Sequence, residues 1–211
     1  HANGVDTSML SRAEVQSLIP GMVGDFAGAM YTASDMRAEP WAAVPALAGI
    51  AARAGASIIE RCAVRGLDIA AGRVAGVVTE QGRIAASQVV LAGGAWSALF
   101  LRRHGVSLPQ LSVRATVAAL DAAPMPYQGG AADDKIAFRA RMDGGYSVAA
   151  GGFHELFVGP DAFRALPKFL TQLRADPFGT RMYPAAPRDY PDSWRTSRRW
   201  AEDEETPFER Q

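Results

Sequence analysis

Val89-Val90-Leu91-Ala92-Gly93-Gly94-Ala95-Trp96-Ser97-Ala98-Leu99-Phe100 is an apolar run of strand length that passes through two glycines into the start of a helix. Glycine carries no Cβ, so backbone at such a turn can approach a ligand closely. The N–H groups of the following helix then point at whatever sits there, a phosphate or a flat ring. The same pattern also describes an ordinary strand–helix unit whose glycines only make a tight turn. The surrounding sequence has to decide between the two.

With 211 residues, 48% hydrophobic and 21% charged, the chain is expected to fold as one or two domains around a substantial core. Lys plus Arg equals Asp plus Glu at 22 each, so no bulk charge points to nucleic acid or an anionic membrane, and a metabolite partner is expected. Cys62 is the single cysteine. It excludes an internal disulfide and reads as a buried inert thiol in a reducing, cytoplasmic setting. No apolar run reaches the roughly 20 residues of a membrane span. His1, His104 and His154 have no ligand spacing, so no metal is expected. His104 reads as a helix C-terminal residue favourable to the dipole.

Outward from the opening stretch, Ser11 and Glu14 form a capping box and Leu10 and Val15 a hydrophobic staple, so a helix starts there and ends at Pro20-Gly21. Met30–Thr32 reads as a strand. Pro45 is awkward inside a helix begun at Pro40, so the alanine-rich helix is expected from Val44 to Gly55. Ser57–Ala63, Arg73–Thr79 and Arg83–Ala86, with turns at Gly72 and Gly82, read as an antiparallel meander, followed by a buried strand Val89–Ala92. Ala95–His104 is a helix closed by Gly105, and Ser112–Leu120 one long strand. Asp143-Gly144-Gly145 joins Lys135–Met142 to Tyr146–Ala150 as a hairpin. Pro160–Ala175 is helical with Pro167 forcing a break or kink, and the acidic run Glu202–Glu205 reads as a solvated face.

This succession resembles the FAD-dependent D-amino acid oxidase-like (DAO) oxidoreductases, a family that includes glycine oxidase, sarcosine oxidase and D-amino acid dehydrogenase. The residues that carry the resemblance are Tyr31-Thr-Ala-Ser-Asp35 with Pro40, Arg53-Ala-Gly-Ala56, Gly76-Val-Val-Thr79, Val89 to Ser97, Gly105-Val-Ser-Leu-Pro109, Val113-Arg114 and Asp143-Gly-Gly-Tyr146. It implies an α+β chain: a substrate-binding lobe with a mixed or antiparallel sheet and flanking helices (1–43 and 105–211), joined to an incomplete Rossmann-like FAD-binding portion (44–104). The family's opening G-x-G-x-x-G is missing, since Gly21, Gly24 and Gly28 have the wrong spacing, and so is its closing glycine-rich segment. The chain is therefore expected to be the central part of a larger enzyme and to be inactive, with little or no flavin affinity, by itself.

The resemblance places Val64, Ala92, Gly93, Gly94 and Trp96 on the cofactor side. For a substrate carboxylate it directs attention to the second lobe, where Phe138–Met142 sets Arg139 and Arg141 on one face by the period of two. Arginine holds a carboxylate bidentately. Arg141 is preferred, with Tyr146 and Tyr127 as hydroxyl donors, and Arg114 is read as a structural ion pair. The implied chemistry is oxidation of the amine of an amino acid or N-methyl amino acid, with no catalytic side chain identified. Two other readings stand beside it: a subunit that complements a separate flavin-binding partner, and a glycerol-phosphate dehydrogenase-like member of the family. Apolar surface around Val89–Trp96 is a further expected partner site, for a homodimer.

Overall fold

Residues 4–121, 124, 127–152, 154–175, 179–188 and 190–201 are described by a computed structural model. Contacts divide the chain into two compact units, 1–58 with 116–152 and 59–115 with 153–211. These packing units are cut at other places than the expected functional lobes.

In the first unit, β1 (Thr7–Ser11) and β2 (Gly28–Thr32) pair antiparallel, with Met9 opposite Met30. Ser11 ends β1 and caps α1 (Arg12–Leu18): its hydroxyl and the Glu14 carboxylate exchange hydrogen bonds with each other's backbone N–H, as expected of the capping box. Helix α2 (Pro40–Arg53) starts four residues before the expected Val44 and contains Pro45. The bond that Pro45 cannot donate would have gone to Trp41, in the first turn, and both residues are exposed, so water can take the carbonyl at little cost. The unit's second sheet orders its strands β7 (Val117–Leu120), β10 (Tyr146–Ala150), β9 (Ile136–Ala140) and β8 (Gly130–Ala132), all antiparallel. The expected hairpin is β9–β10. Its turn is closed by the Arg141 N–H on the Gly145 carbonyl at 2.8 Å, with Gly144 at φ +88°.

Asp133 pins the β8–β9 turn by accepting from the backbone N–H groups of Ile136 and Lys135 at 2.7 and 2.8 Å. These bonds hold its carboxyl below the usual aspartate range. A depressed folded-state value means the contribution is complete above the ordinary range and is lost as pH falls through the depressed value. Asp133→Asn, which keeps an acceptor oxygen but loses the charge, is accordingly expected to lower stability slightly at neutral pH and to make the acid limb of a circular-dichroism pH titration shallower.

In the second unit, β3 (Val64–Ala70), β4 (Arg73–Thr79) and β5 (Gly82–Ala85) form an antiparallel meander. Its first strand begins at Val64, and Ser57–Ala63 lies outside any strand, so Cys62 is half-buried in irregular chain rather than in a strand. Val89–Ala92 is likewise not a strand. A strand exists through its ladder, and no described strand pairs with this stretch, which leaves Val90 90% exposed. A 3-10 turn (Gly94–Trp96) leads into α3 (Ser97–Arg103). His104 caps the C-terminus of α3, where the sequence places it, and its Nε2 accepts from the Leu67 N–H at 3.1 Å, which ties the end of α3 to β3.

The expected long strand Ser112–Leu120 is two strands, because the chain passes between units at 115/116. Its first half, β6 (Val113–Arg114), pairs antiparallel with β11 (His154–Phe157), and β11 pairs parallel with β12 (Thr180–Tyr183). Parallel neighbours need a crossover, and α4 (Pro160–Ala175) supplies it, helical across Pro167. Arg114 makes the expected structural ion pair, with Glu155 at 2.6 Å. Leu156 in central β11 is 1% exposed, a burial that contributes about 1.5–3 kcal/mol. The acidic run 202–205 lies outside the described residues.

Candidate functional site

A cavity of about 660 Å³ opens in the second unit between β3, β4, the Val89–Gly93 stretch and α3. That volume lies within the range of ordinary cofactor pockets. Its wall includes Val64, Val77, Ala92, Gly93, Trp96 and Trp200. Four of the five residues that the family resemblance implies on a cofactor side thus share one cavity. Gly94 stands just outside the lining and opens the 3-10 turn at φ +54°, where a side chain would be strained.

Each wall is held from behind. Glu80 accepts from the Ala63 N–H at 3.2 Å and from Arg65 Nη2 at 2.5 Å, which fixes the start of β3 and so Val64. Gln110 bridges the turn before α3: its Oε1 accepts from the Ala98 N–H at 3.2 Å and its Nε2 donates to the Gly94 carbonyl at 3.1 Å. The Ala98 N–H is therefore spent on Gln110 rather than presented to a ligand. The Trp96 N–H is spent on the Gly93 carbonyl at 3.0 Å. An apolar wall with two indoles fits the flat ring of a flavin nucleotide. No cradle for its pyrophosphate is formed by these residues. Of the N–H groups that open α3, that of Ala98 is thus engaged by Gln110.

Trp200 and Gln110 were not signalled by the sequence. Trp200 sits in a stretch without periodicity, and Gln110 acts through one side chain that reaches back 12 residues. Both belong to loops, where pattern carries no information about contact.

The four expected substrate residues all lie in the first unit. Arg141 follows β9 directly. Its Nε donates to Asp143 Oδ1 at 3.0 Å and its Nη2 pairs with Asp143 Oδ2. The bond raises the guanidinium's affinity for its proton and holds the Asp143 carboxyl below its usual range. Arg139 donates through Nη1 to the Ala38 carbonyl at 3.0 Å, pairs with buried Glu39 at 3.4 Å, and lies 5.6 Å from the Trp41 ring centroid. The two arginines are thus drawn to different carboxylates. Tyr146 donates to the Tyr127 carbonyl at 3.1 Å and packs edge-on to Phe138. Burial, with Tyr31 nearby, pushes the Tyr127 hydroxyl's pKa up, so it stays a proton donor. Glu39, which the sequence did not single out, joins this cluster by accepting from the Met142 N–H at 3.3 Å. No group of three or more potential metal ligands occurs among the described residues, and no helix among them is long and apolar enough to cross a membrane.

Comparison with known proteins bears on both clusters. Human mitochondrial sarcosine dehydrogenase is 36% identical over 118 residues, 53% of this chain and 13% of that protein. D-amino acid dehydrogenase 2 of Mesorhizobium japonicum is 31% identical over 147 residues, 66% of this chain and 35% of that protein. Two solved L-amino acid deaminases, from Proteus myxofaciens and Proteus vulgaris, superpose on 98% of this chain with TM-scores of 0.85 and 0.83 at 31% and 30% identity. A form of the P. vulgaris protein with its specific insertion sequence deleted superposes on 82%, with a TM-score of 0.59 at 29% identity. The chain spans 46% and 47% of the two intact deaminases and 45% of the deleted form, and so about half the length or less of the proteins it matches. The α+β architecture is theirs. A family model described as FAD dependent oxidoreductase matches residues 1–206, and with the cavity it places the chain in the DAO family of FAD-dependent oxidoreductases.

Proposed function

We propose that the native protein oxidises the amine of an amino acid or N-methyl amino acid, with FAD as electron acceptor. The observation that carries the reading is the apolar cavity in which Val64, Ala92, Gly93 and Trp96 meet, in a chain whose relatives are named for oxidising or deaminating amino acids. When bound, the flavin supplies a two-electron acceptor for the hydride lost from the substrate carbon next to nitrogen. The amine also loses a proton, and the resulting imine hydrolyses to an oxo compound and the freed amine.

The chain's own part is to bind and orient. Val64, Ala92, Gly93 and Trp96 hold the flat ring, with Gly94 at the turn. Arg141 binds the substrate carboxylate: Asp143 fixes its Nε–Nη2 edge, and the side chain is only 14% exposed, so little conformational entropy remains to be lost on binding. Arg139 adds positive charge, and Tyr146 and Tyr127 supply hydroxyls. The lobes 1–43 with 105–211 for substrate and 44–104 for flavin belong to this proposal. So does a reducing, cytoplasmic setting, supported by the lone free Cys62. A second reading, a partner surface for another copy or a complementary subunit, is supported by the exposed run Val89–Leu91.

The test uses the native protein with FAD and a panel of glycine, sarcosine, D- and L-amino acids, and glycerol 3-phosphate. Bleaching of the flavin absorbance by one of the amino acids is expected. Arg141→Leu is expected to raise the KM of that substrate at least about tenfold with a smaller effect on kcat. Bleaching by glycerol 3-phosphate alone would overturn the amine reading.

A further inference from the structure

We propose that Trp200, in the irregular stretch that follows β12, is a cofactor-cavity residue, its indole forming part of the wall that meets a flat heteroaromatic ring of the flavin nucleotide. The proposal rests on the flavin reading above and adds a residue that none of the sequence patterns assigns.

Three contacts fix the ring. The Trp200 Nε1–H donates to the Arg65 carbonyl at 2.7 Å, so the indole is tied to β3 at the residue after Val64. The Arg103 guanidinium stands 4.9 Å from the ring centroid and its Nη1 donates to the Trp200 carbonyl, tying the same residue to the end of α3. Trp200 is 7% exposed as a residue and lines the cavity with Val64 and Trp96. Trp200 thus braces both elements that present the cofactor-side residues. A buried indole whose N–H is satisfied by backbone and which Arg103 covers from one side is held in one orientation, so the part of it that lines the cavity is pre-organised for a ring.

β11, α4 and β12 form a strand–helix–strand unit whose contacts with the rest of the second unit include the short β6 ladder and the Arg102–Asp161 ion pair, and the stretch after β12 adds the Trp200 bond to Arg65.

The experiment compares the native protein with Trp200→Leu and Trp200→Phe, each stripped of flavin and titrated with FAD, AMP and riboflavin, with binding followed by flavin and tryptophan fluorescence. Trp200→Leu is expected to weaken FAD at least about tenfold and to shift the visible absorbance of the bound flavin, while Trp200→Phe, which keeps an aromatic face, stays within about threefold. Loss of AMP affinity would assign the wall to the adenine end, and loss of riboflavin affinity to the isoalloxazine end. If Trp200→Leu fails to fold, Trp200→Phe is combined with Arg103→Leu to loosen the ring, and the same tenfold loss is expected. Unchanged affinity for all three ligands would overturn the inference while leaving the flavin reading in place. A native protein that binds no FAD would remove both.

Discussion

Replacing Asp192 by alanine is expected to cost about 2–4 kcal/mol of stability. Asp192 lies 31 residues beyond Asp161 in sequence, yet its Oδ1 accepts from the Asp161 N–H at 2.7 Å and its Oδ2 from the Ala162 N–H at 2.9 Å. Those are the second and third residues of α4, whose N–H groups have no partner within the helix. The same carboxylate pairs with Arg198 Nη2 at 3.2 Å. Alanine would leave two buried donors and most of a guanidinium's charge uncompensated. Asparagine keeps a side-chain oxygen and should recover about half of the loss. Urea denaturation with hydrogen exchange at the α4 amides reads both variants, and equal stability of wild type and Asp192→Ala would refute the cap.

The pH dependence gives a separate check on that residue. Burial, reinforced by Asp161, pushes the Asp192 carboxyl up, against the two backbone bonds and Arg198. A raised folded-state pKa means the folded form holds the proton more tightly, so this group subtracts stability as pH rises from the ordinary aspartate range through the raised value. That is the opposite sense to Asp133 and Asp143, and Asp192→Asn should remove the slope while leaving theirs.

Local signals carried as far as local physics reaches. The Ser11–Glu14 box, the Asp143-Gly-Gly hairpin and the Gly72 and Gly82 turns are legible because a few adjacent residues decide each. Val89–Ala92 and Ser57–Ala63 have the apolar and β-branched composition of strands, but pairing is a property of two segments and composition describes one. Ser112–Leu120 carries a continuous strand pattern, yet the chain changes partner sheet at its middle, which no alternation records. Of the site, the glycine turn and Trp96 were legible, whereas Trp200 reaches its place through bonds to Arg65 and Arg103, 135 and 97 residues away. Arg139 and Arg141 were legible as a pair, but the carboxylates that separate them come from Glu39 and from the turn itself.

Gly76→Ala is the second large effect, at least about 3 kcal/mol, and it links the meander to the cavity. A Cβ at Gly76 would stand 2.1 Å from the Ile84 carbonyl oxygen and 3.0 Å from the Ile84 carbonyl carbon and Ala85 Cα. All three are backbone atoms of the paired strand β5, so no rotamer change can make room, and β4 and β5 must separate at Gly76–Ala85. Gly72 supplies the control: its φ is +75° but nothing lies within 4 Å of its would-be Cβ, so Gly72→Ala should cost only about 1 kcal/mol of backbone strain. The consequence of Gly76→Ala extends beyond the edge strand. Val77 follows Gly76 directly, and Val64 faces Thr79 across the β3–β4 ladder, so the cavity wall is held in register by the strand that the new methyl displaces. Hydrogen exchange should therefore show lost protection at Gly82–Ala85 first and at Val64–Leu67 next, together with weakened FAD binding by the native protein. Protection lost only at the β5 edge, with flavin affinity intact, would mean that β3 and Val64 are held by Glu80 and Trp200 without help from the meander.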